Sequence, residues 1–218
     1  YGLTLWDLDR EFITVGLAGK DRATLREILE ILRDTYCGTV GVEFMYIADP
    51  ERKEWLQDRM ESTRNRGQLT PPDRQRVLEK VVEAGSFERF LHARYIGHKR
   101  FSLEGCEALI PLLDRVLNDA AQVGVQEAVI GMAHRGRLNV LANTIGKPLA
   151  QIFKEFEGVS DPDSTQGSGD VKYHLGASGK FVSPAGADIA IELAANPSHL
   201  EAVDPVVGGM ARARQDLI

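Results

Sequence analysis

What the 218-residue chain lacks narrows the field before anything it contains. Only two cysteines occur, Cys37 and Cys106, and both sit in otherwise apolar helical patterns, where an unpaired thiol behaves as a small hydrophobe. No apolar run approaches the roughly 20 residues that a membrane helix needs, and no basic-then-apolar leader opens the chain. The expected setting is a reducing cytoplasm, with no membrane contact. The net charge is −6 and no dense block of lysine and arginine interrupts it, so nucleic acid is not an expected partner. Metal-helix and zinc-knuckle spacings are absent. Gly167-Ser168-Gly169 and Gly208-Gly209 match neither a dinucleotide fingerprint nor a P-loop, and no Gly-x-Ser-x-Gly elbow exists.

What remains is ordinary globular material, 43% hydrophobic and 27% charged, which argues against a disordered or fibrous chain. The length suits one or two domains. The chain begins at Tyr1, and a helical pattern still runs through Arg214 to Ile218; together these read as a piece of a longer protein.

The first 124 residues read as mostly helical. Leu25, Ile28, Leu29, Leu32 and Tyr36 recur at helical spacing and stop at Cys37-Gly38. Thr39 to Ile47 alternates like a short strand or extended segment. Asp49-Pro50 opens a helix to about Met60, and Ser62 to Thr70 is polar and loop-like. Pro71-Pro72 opens another helix toward Leu91, weakened by Gly85. The basic cluster His92, Arg94, His98, Lys99 and Arg100 follows, either a solvated loop or a site for an anionic ligand. Ser102 is placed to cap a helix through Cys106, Leu109, Leu113 and Ala120, with a kink at Pro111.

The character changes at Val125. Glu127 to Met132 and Asp188 to Ala194 are short apolar runs, and each passes through a polar turn into a helix. That order, met twice, predicts the start of an α/β domain over residues 125–218: an open, mainly parallel sheet with flanking helices, whose ligands bind beyond the carboxyl ends of the strands. Leu138 to Ile145 continues the first helix until Gly146, Pro148 opens a short helix that Gly158 ends, and Ser160 to Gly169 is a loop. Glu201 to Ile218 is a helix loosened by Pro205 and Gly208-Gly209.

Three turns could carry chemistry. His134-Arg135-Gly136-Arg137 gathers an imidazole and two guanidiniums at a helix start, and a planar guanidinium grips two oxygens and keeps its charge. The competing reading is that these cations solvate a loop or pair with a structural carboxylate. In Asp170 to Gly176, an extended backbone would point Lys172 and His174 the same way, with Ser178 near enough to join; His174 is then a candidate donor to a carbonyl or carboxylate, or a structural histidine. In Asn196-Pro197-Ser198-His199-Leu200-Glu201 a proline stiffens the turn and Ser198 can cap the next helix, while His199 has no obvious structural duty.

The literal strings Gly131-Met132-Ala133-His134-Arg135-Gly136-Arg137-Leu138-Asn139-Val140-Leu141, Gly169-Asp170-Val171-Lys172-Tyr173-His174-Leu175-Gly176 and Asn196-Pro197-Ser198-His199-Leu200-Glu201 occur in this order. With Thr35 to Gly38, Gly41 to Met45 and Lys99 to Gly105, they make nearly the whole chain resemble the thiamine-diphosphate-dependent, decarboxylating subunit of 2-oxoglutarate dehydrogenase. Leu5 to Arg10 and Lys99 to Gly105 resemble its actinobacterial form, in which an acyltransferase-like segment is fused and which is also described as a decarboxylase and carboligase. The resemblance implies a thiamine-diphosphate-binding α/β fold and decarboxylation of 2-oxoglutarate, with the cofactor as electron sink. It further implies succinyl transfer to a lipoyl group of an acyltransferase subunit in the tricarboxylic acid cycle, and a homodimer. It puts Arg135, Ser198 and Leu200 at cofactor contacts, Arg135 and Ser198 also toward substrate, and His134, His174 and His199 on the catalytic, substrate-facing side. The family's magnesium and diphosphate motif, Gly-Asp-Gly with a later Asn, and its activating glutamate are expected downstream of residue 218, so the isolated chain is expected to be inactive. Rival readings are a transketolase-like or pyruvate-using thiamine enzyme, and a non-catalytic α/β module that holds an anion on His134, Arg135 and Arg137. The lack of a distal carboxylate on pyruvate argues against the first.

Overall fold

The computed structural model describes residues 2–67, 69–157, 171–195 and 198–217. The expected loop at Ser160 to Gly169, the stop at Gly158, and Asp170, Asn196, Pro197 and Ile218 lie outside the described residues. The chain divides into two compact units, Tyr1–Thr70 and Pro71–Ile218.

In the first unit a small antiparallel hairpin, β1 (Glu11–Ile13) with β2 (Arg22–Thr24), leads directly into α1 (Leu25–Tyr36). Thr24 caps α1 reciprocally. Its hydroxyl accepts the Glu27 N–H at 3.3 Å and the Glu27 carboxylate accepts the Thr24 N–H at 2.9 Å, so two orphan donors are satisfied at once. Helix α2 (Pro50–Thr63) starts on the Asp49 side chain, as its Asp-Pro string predicts. The alternating segment Thr39 to Ile47 forms no strand; it is irregular and mostly exposed, with Phe44 buried.

In the second unit α3 (Pro71–Arg94) runs unbroken through Gly85. Helix α4 (Leu109–Gln122) begins later than Ser102. Pro111 therefore falls in its first turn, where its missing N–H would have had no partner, and no kink results. Ser102 instead caps a tight turn, accepting the Glu104 N–H at 3.0 Å. Cys106 lies in that turn and Cys37 follows α1; both are exposed, contrary to the expected burial.

The change of character at Val125 is the start of the sheet. Strands β3 (Glu127–Ile130), β4 (Ala177–Val182) and β5 (Asp188–Leu193) lie in the order β3-β5-β4, with β3 parallel and β4 antiparallel to β5. Mixed helix and sheet agrees with an α/β reading, but among the described residues only one of the two strand pairs is parallel. Between β3 and β4 come α5 (Arg137–Val140), a π-helical turn over Leu141–Ile145, and α6 (Leu149–Phe156); α7 (Leu200–Gln215) follows β5. Ile189, Ile191 and Leu193 of β5 are buried with Ile110 and Leu117 of α4, Phe87 and Leu91 of α3, and Leu141 and Ile145. Alternation turns Glu192 to the opposite face, where Arg214 of α7 bonds both Glu192 and Glu127. One face of the sheet is thus buried under helices, while on the other α7 lies against β3 and Ser178, Lys180, Val182 and Ala190 stay exposed.

Candidate functional site

Strand direction assembles the site. Because β3 and β5 are parallel with Ile130 opposite Leu193, both exit at the same edge, one toward His134 and the other toward Ser198. Because β4 is antiparallel, with Ala177 opposite Leu193, the turn that feeds it starts at that same edge. Three turns far apart in sequence therefore share one rim, the position at which α/β sheets hold ligands.

His134 is the centre of the group. Its Nε2 is 3.2 Å from Nε2 of His174 and 3.5 Å from Oγ of Ser198. With two ring nitrogens this close, one imidazole donates and the other accepts. The His134 ring also packs on Phe101, centroids 4.6 Å apart, and meets Tyr173 at 5.7 Å. Tyr173 is buried, its hydroxyl accepting the Phe101 N–H at 3.3 Å, and burial pushes its phenol above the ordinary range. The backbone of the His134 turn is fixed by the Gly136 N–H donating to Phe101 O at 3.0 Å. Gly136 has φ +76°, and a β-carbon there would stand 2.6 Å from Leu103 Cδ1, so both conformation and space call for glycine.

Arg135 and Arg137 separate sharply. Arg135 is exposed and holds the Phe101-Ser102 segment, donating from Nη1 to Ser102 O at 3.1 Å. Arg137 is fully buried and points inward, donating to the carbonyls of Met132, Leu175 and Ala194 at 3.2, 2.8 and 2.6 Å. Its Nε is buried without a partner, and no carboxylate pairs with it among the described residues. Burial lowers its pKa to about 10. It stays cationic at neutral pH, but as a support rather than the exposed anion ligand expected of it.

The other expected residues divide likewise. Val171–Tyr173 is a 3-10 turn and not an extended run, so Lys172 and His174 do not share a side. Lys172 is buried, its Nζ 4.6 Å from the centre of the Phe156 ring, and Ser178 is an exposed residue of β4. Ser198 does not cap α7, whose N-cap is His199 without a side-chain bond. Instead it holds φ +75°, a left-handed conformation that non-glycine residues occupy rarely and often near function. His199 and Leu200 are exposed at the start of α7. In the basic cluster around residue 100, His92, Arg94, His98 and Lys99 are exposed, while Arg100 is drawn inward, 4.0 Å from the Glu88 carboxylate and donating to His92 Nδ1 at 2.7 Å.

Sequence reasoning missed Glu88, Phe101 and Tyr173. Glu88 on α3 is buried and accepts from Ser102 Oγ at 2.7 Å and from Asn139 Nδ2 at 3.0 Å. It thereby ties the Phe101 segment to α5. A glutamate in a charged helix gives no sign of this, because its partners are 14 and 51 residues away. Among the described residues no three His, Cys, Asp or Glu side chains gather to hold a metal ion, and no helix is long and apolar enough to cross a membrane.

No protein-family model matches the chain. Over its whole length it is 53% identical to a multifunctional 2-oxoglutarate metabolism enzyme of Mycolicibacterium vanbaalenii, of which it spans 18%. It is also 53% identical to an enzyme of the same description from a Mycobacterium species, spanning 17% of it. A 2-oxoglutarate dehydrogenase E1/E2 component of Corynebacterium glutamicum is 51% identical, again over the full chain and 18% of that protein. The chain therefore spans less than a fifth of the relatives it matches. Over its whole length the chain is thus similar to multifunctional 2-oxoglutarate metabolism enzymes and to a 2-oxoglutarate dehydrogenase E1/E2 component.

Proposed function

We propose that this chain forms the substrate-facing and diphosphate-facing wall of a thiamine-diphosphate site, within a longer cytoplasmic enzyme that decarboxylates 2-oxoglutarate. The observation that carries the reading is the meeting of His134, His174 and Ser198 at one sheet edge, beside the exposed guanidinium of Arg135. These side chains offer N–H and O–H donors and positive charge, with no carboxylate among them. They suit a ligand rich in carboxylate or phosphate oxygens. The chemistry of the donor set thus fits both the diphosphate and a dicarboxylic acid.

When bound, thiamine diphosphate would supply the electron sink for the breaking carbon–carbon bond. Arg135, Ser198 and the backbone at Leu200 would hold the cofactor, Arg135 and Ser198 reaching toward substrate as well. His134 and His174 would orient the keto acid and hold a proton between their Nε2 atoms, and His199 would complete the substrate side from the start of α7. Phe101 and Tyr173 exclude water from one flank of the His134 ring. Magnesium would be held by parts of the relatives that this chain does not cover. The succinyl unit would pass to a lipoyl group of an acyltransferase partner in the tricarboxylic acid cycle, with decarboxylase or carboligase chemistry as a variant of the same site. A homodimer and a thiamine-diphosphate-binding fold starting near residue 125 belong to the same proposal.

The test is His134→Ala and His174→Ala in the full-length protein. Each is expected to lower kcat/KM for 2-oxoglutarate by about 10²–10³, the usual cost of one lost transition-state donor. Unchanged turnover in both would overturn the reading. The chain alone is expected to show no decarboxylation with thiamine diphosphate and magnesium. Calorimetric binding of pyrophosphate, with turnover of the full-length protein insensitive to both histidines, would favour the non-catalytic anion module.

A further inference from the structure

Arg137 touches the backbone of all three turns at the rim. Its Nη1 donates to Met132, two residues before His134. Its Nη2 donates to Leu175, which follows His174, and to Ala194, which leads into the Ser198 turn. The side chain is fully buried, and three neutral carbonyls hold its charge. A buried cation without a paired anion is a poor device for stability, because an apolar residue of similar volume avoids the desolvation cost. A rigid planar fork is, however, a good device for geometry: one group fixes three carbonyls at set angles, which the single nitrogen of a lysine cannot reproduce.

We infer that Arg137 is a positioning residue that sets the spacing of the three turns and so holds His134 and His174 within hydrogen-bond reach of each other. This deepens the function proposed above and rests on those turns being the ligand-facing wall. The Nε2 to Nε2 distance of 3.2 Å is then set by the guanidinium beneath it, and loosening the fork separates the imidazoles while the sheet and its flanking helices persist.

The experiment uses the whole chain labelled with 15N-histidine, which carries only five histidines. In the wild type the ring nitrogens of His134 and His174 should show scalar coupling across their hydrogen bond, and inorganic pyrophosphate should shift both resonances. Arg137→Lys, with far-ultraviolet dichroism matching the wild type, should lose the coupling. Ile110→Val, a core change in α4 that touches none of the turns, should keep it. Coupling retained in Arg137→Lys, coupling lost equally in Ile110→Val, or no coupling in the wild type overturns the inference. Should Arg137→Lys fail to fold, hydrogen exchange in the wild type decides. The guanidinium protons and the shared imidazole proton, each divided by its own intrinsic exchange rate, must show one common protection factor, and different protection factors overturn it. An intact coupling pattern without any response to pyrophosphate or 2-oxoglutarate would sink the ligand reading while leaving the positioning role standing.

Discussion

At the scale of single residues, the rim depends on two backbone conformations that ordinary side chains resist. Gly136 needs φ +76° and the space next to Leu103, so Gly136→Ala is expected to destabilise the second unit by about 1–3 kcal/mol, read as a lower urea midpoint at unchanged slope. An unchanged midpoint would show that Leu103 and the turn relax freely. Ser198 accepts the same left-handed strain without being glycine, consistent with a hydroxyl kept in place 3.5 Å from His134. The sequence named His134, His174 and Ser198 because each follows or precedes a strand-like run in a polar turn. It could not separate Arg135 from Arg137. Two guanidiniums two residues apart look alike in a string, and only the packing shows that one faces water and the other three carbonyls.

At the scale of elements, helix starts were legible where a proline marks them, at Asp49-Pro50 and Pro71-Pro72, and misread at Ser102 and Ser198, whose side chains are not helix caps. The Thr24 and Glu27 box fixes the start of α1, and Lys20 adds a hydrogen bond to the Glu27 carboxylate at 2.8 Å. Lys20 first, then the Thr24 backbone, hold the Glu27 pKa down to about 2 from a usual 4.5. Its contribution is therefore present in full above about pH 4.5 and lost as the pH falls toward 2. Melting temperatures of the wild type and Glu27→Gln should differ at pH 6 and converge by pH 2; a constant difference across that range would contradict the assignment. Between α3 and α4, Arg76 grips Asp114 with two bonds of 2.5 and 2.7 Å, the carboxylate being nearly buried. Asp114→Asn should cost about 2 kcal/mol in chemical denaturation, in the range of hydrogen bonds to charged groups, and a loss below about 0.5 kcal/mol would mean the pair is merely superficial. This link spans 38 residues, so no local pattern announces it. The apolar stripe expected from Cys106 begins only at Leu109, which places Pro111 in the first turn, where proline costs least; Pro205, by contrast, sits inside α7.

At the scale of the whole molecule, all five histidines lie in the second unit, between Pro71 and Ile218. Residues 71–218 expressed alone are therefore expected to fold cooperatively and to reproduce the 15N-histidine spectrum of the full chain. Collapsed or shifted His134 and His174 resonances would show that the first unit is needed to form the rim. By itself the sequence determined most of the helices, the starts marked by Asp49-Pro50 and Pro71-Pro72, the two apolar strand runs and the likeness to 2-oxoglutarate enzymes, since each rests on periodicity or on a short literal string. Only the tertiary structure decided that β4 runs antiparallel to β5, and strand direction is what carries His174 to the edge where β3 and β5 deliver His134 and Ser198. It alone also turned Arg137 inward beneath them, because long-range strand pairing and burial depend on residues brought together from 40 to 64 positions apart, a separation no local pattern encodes.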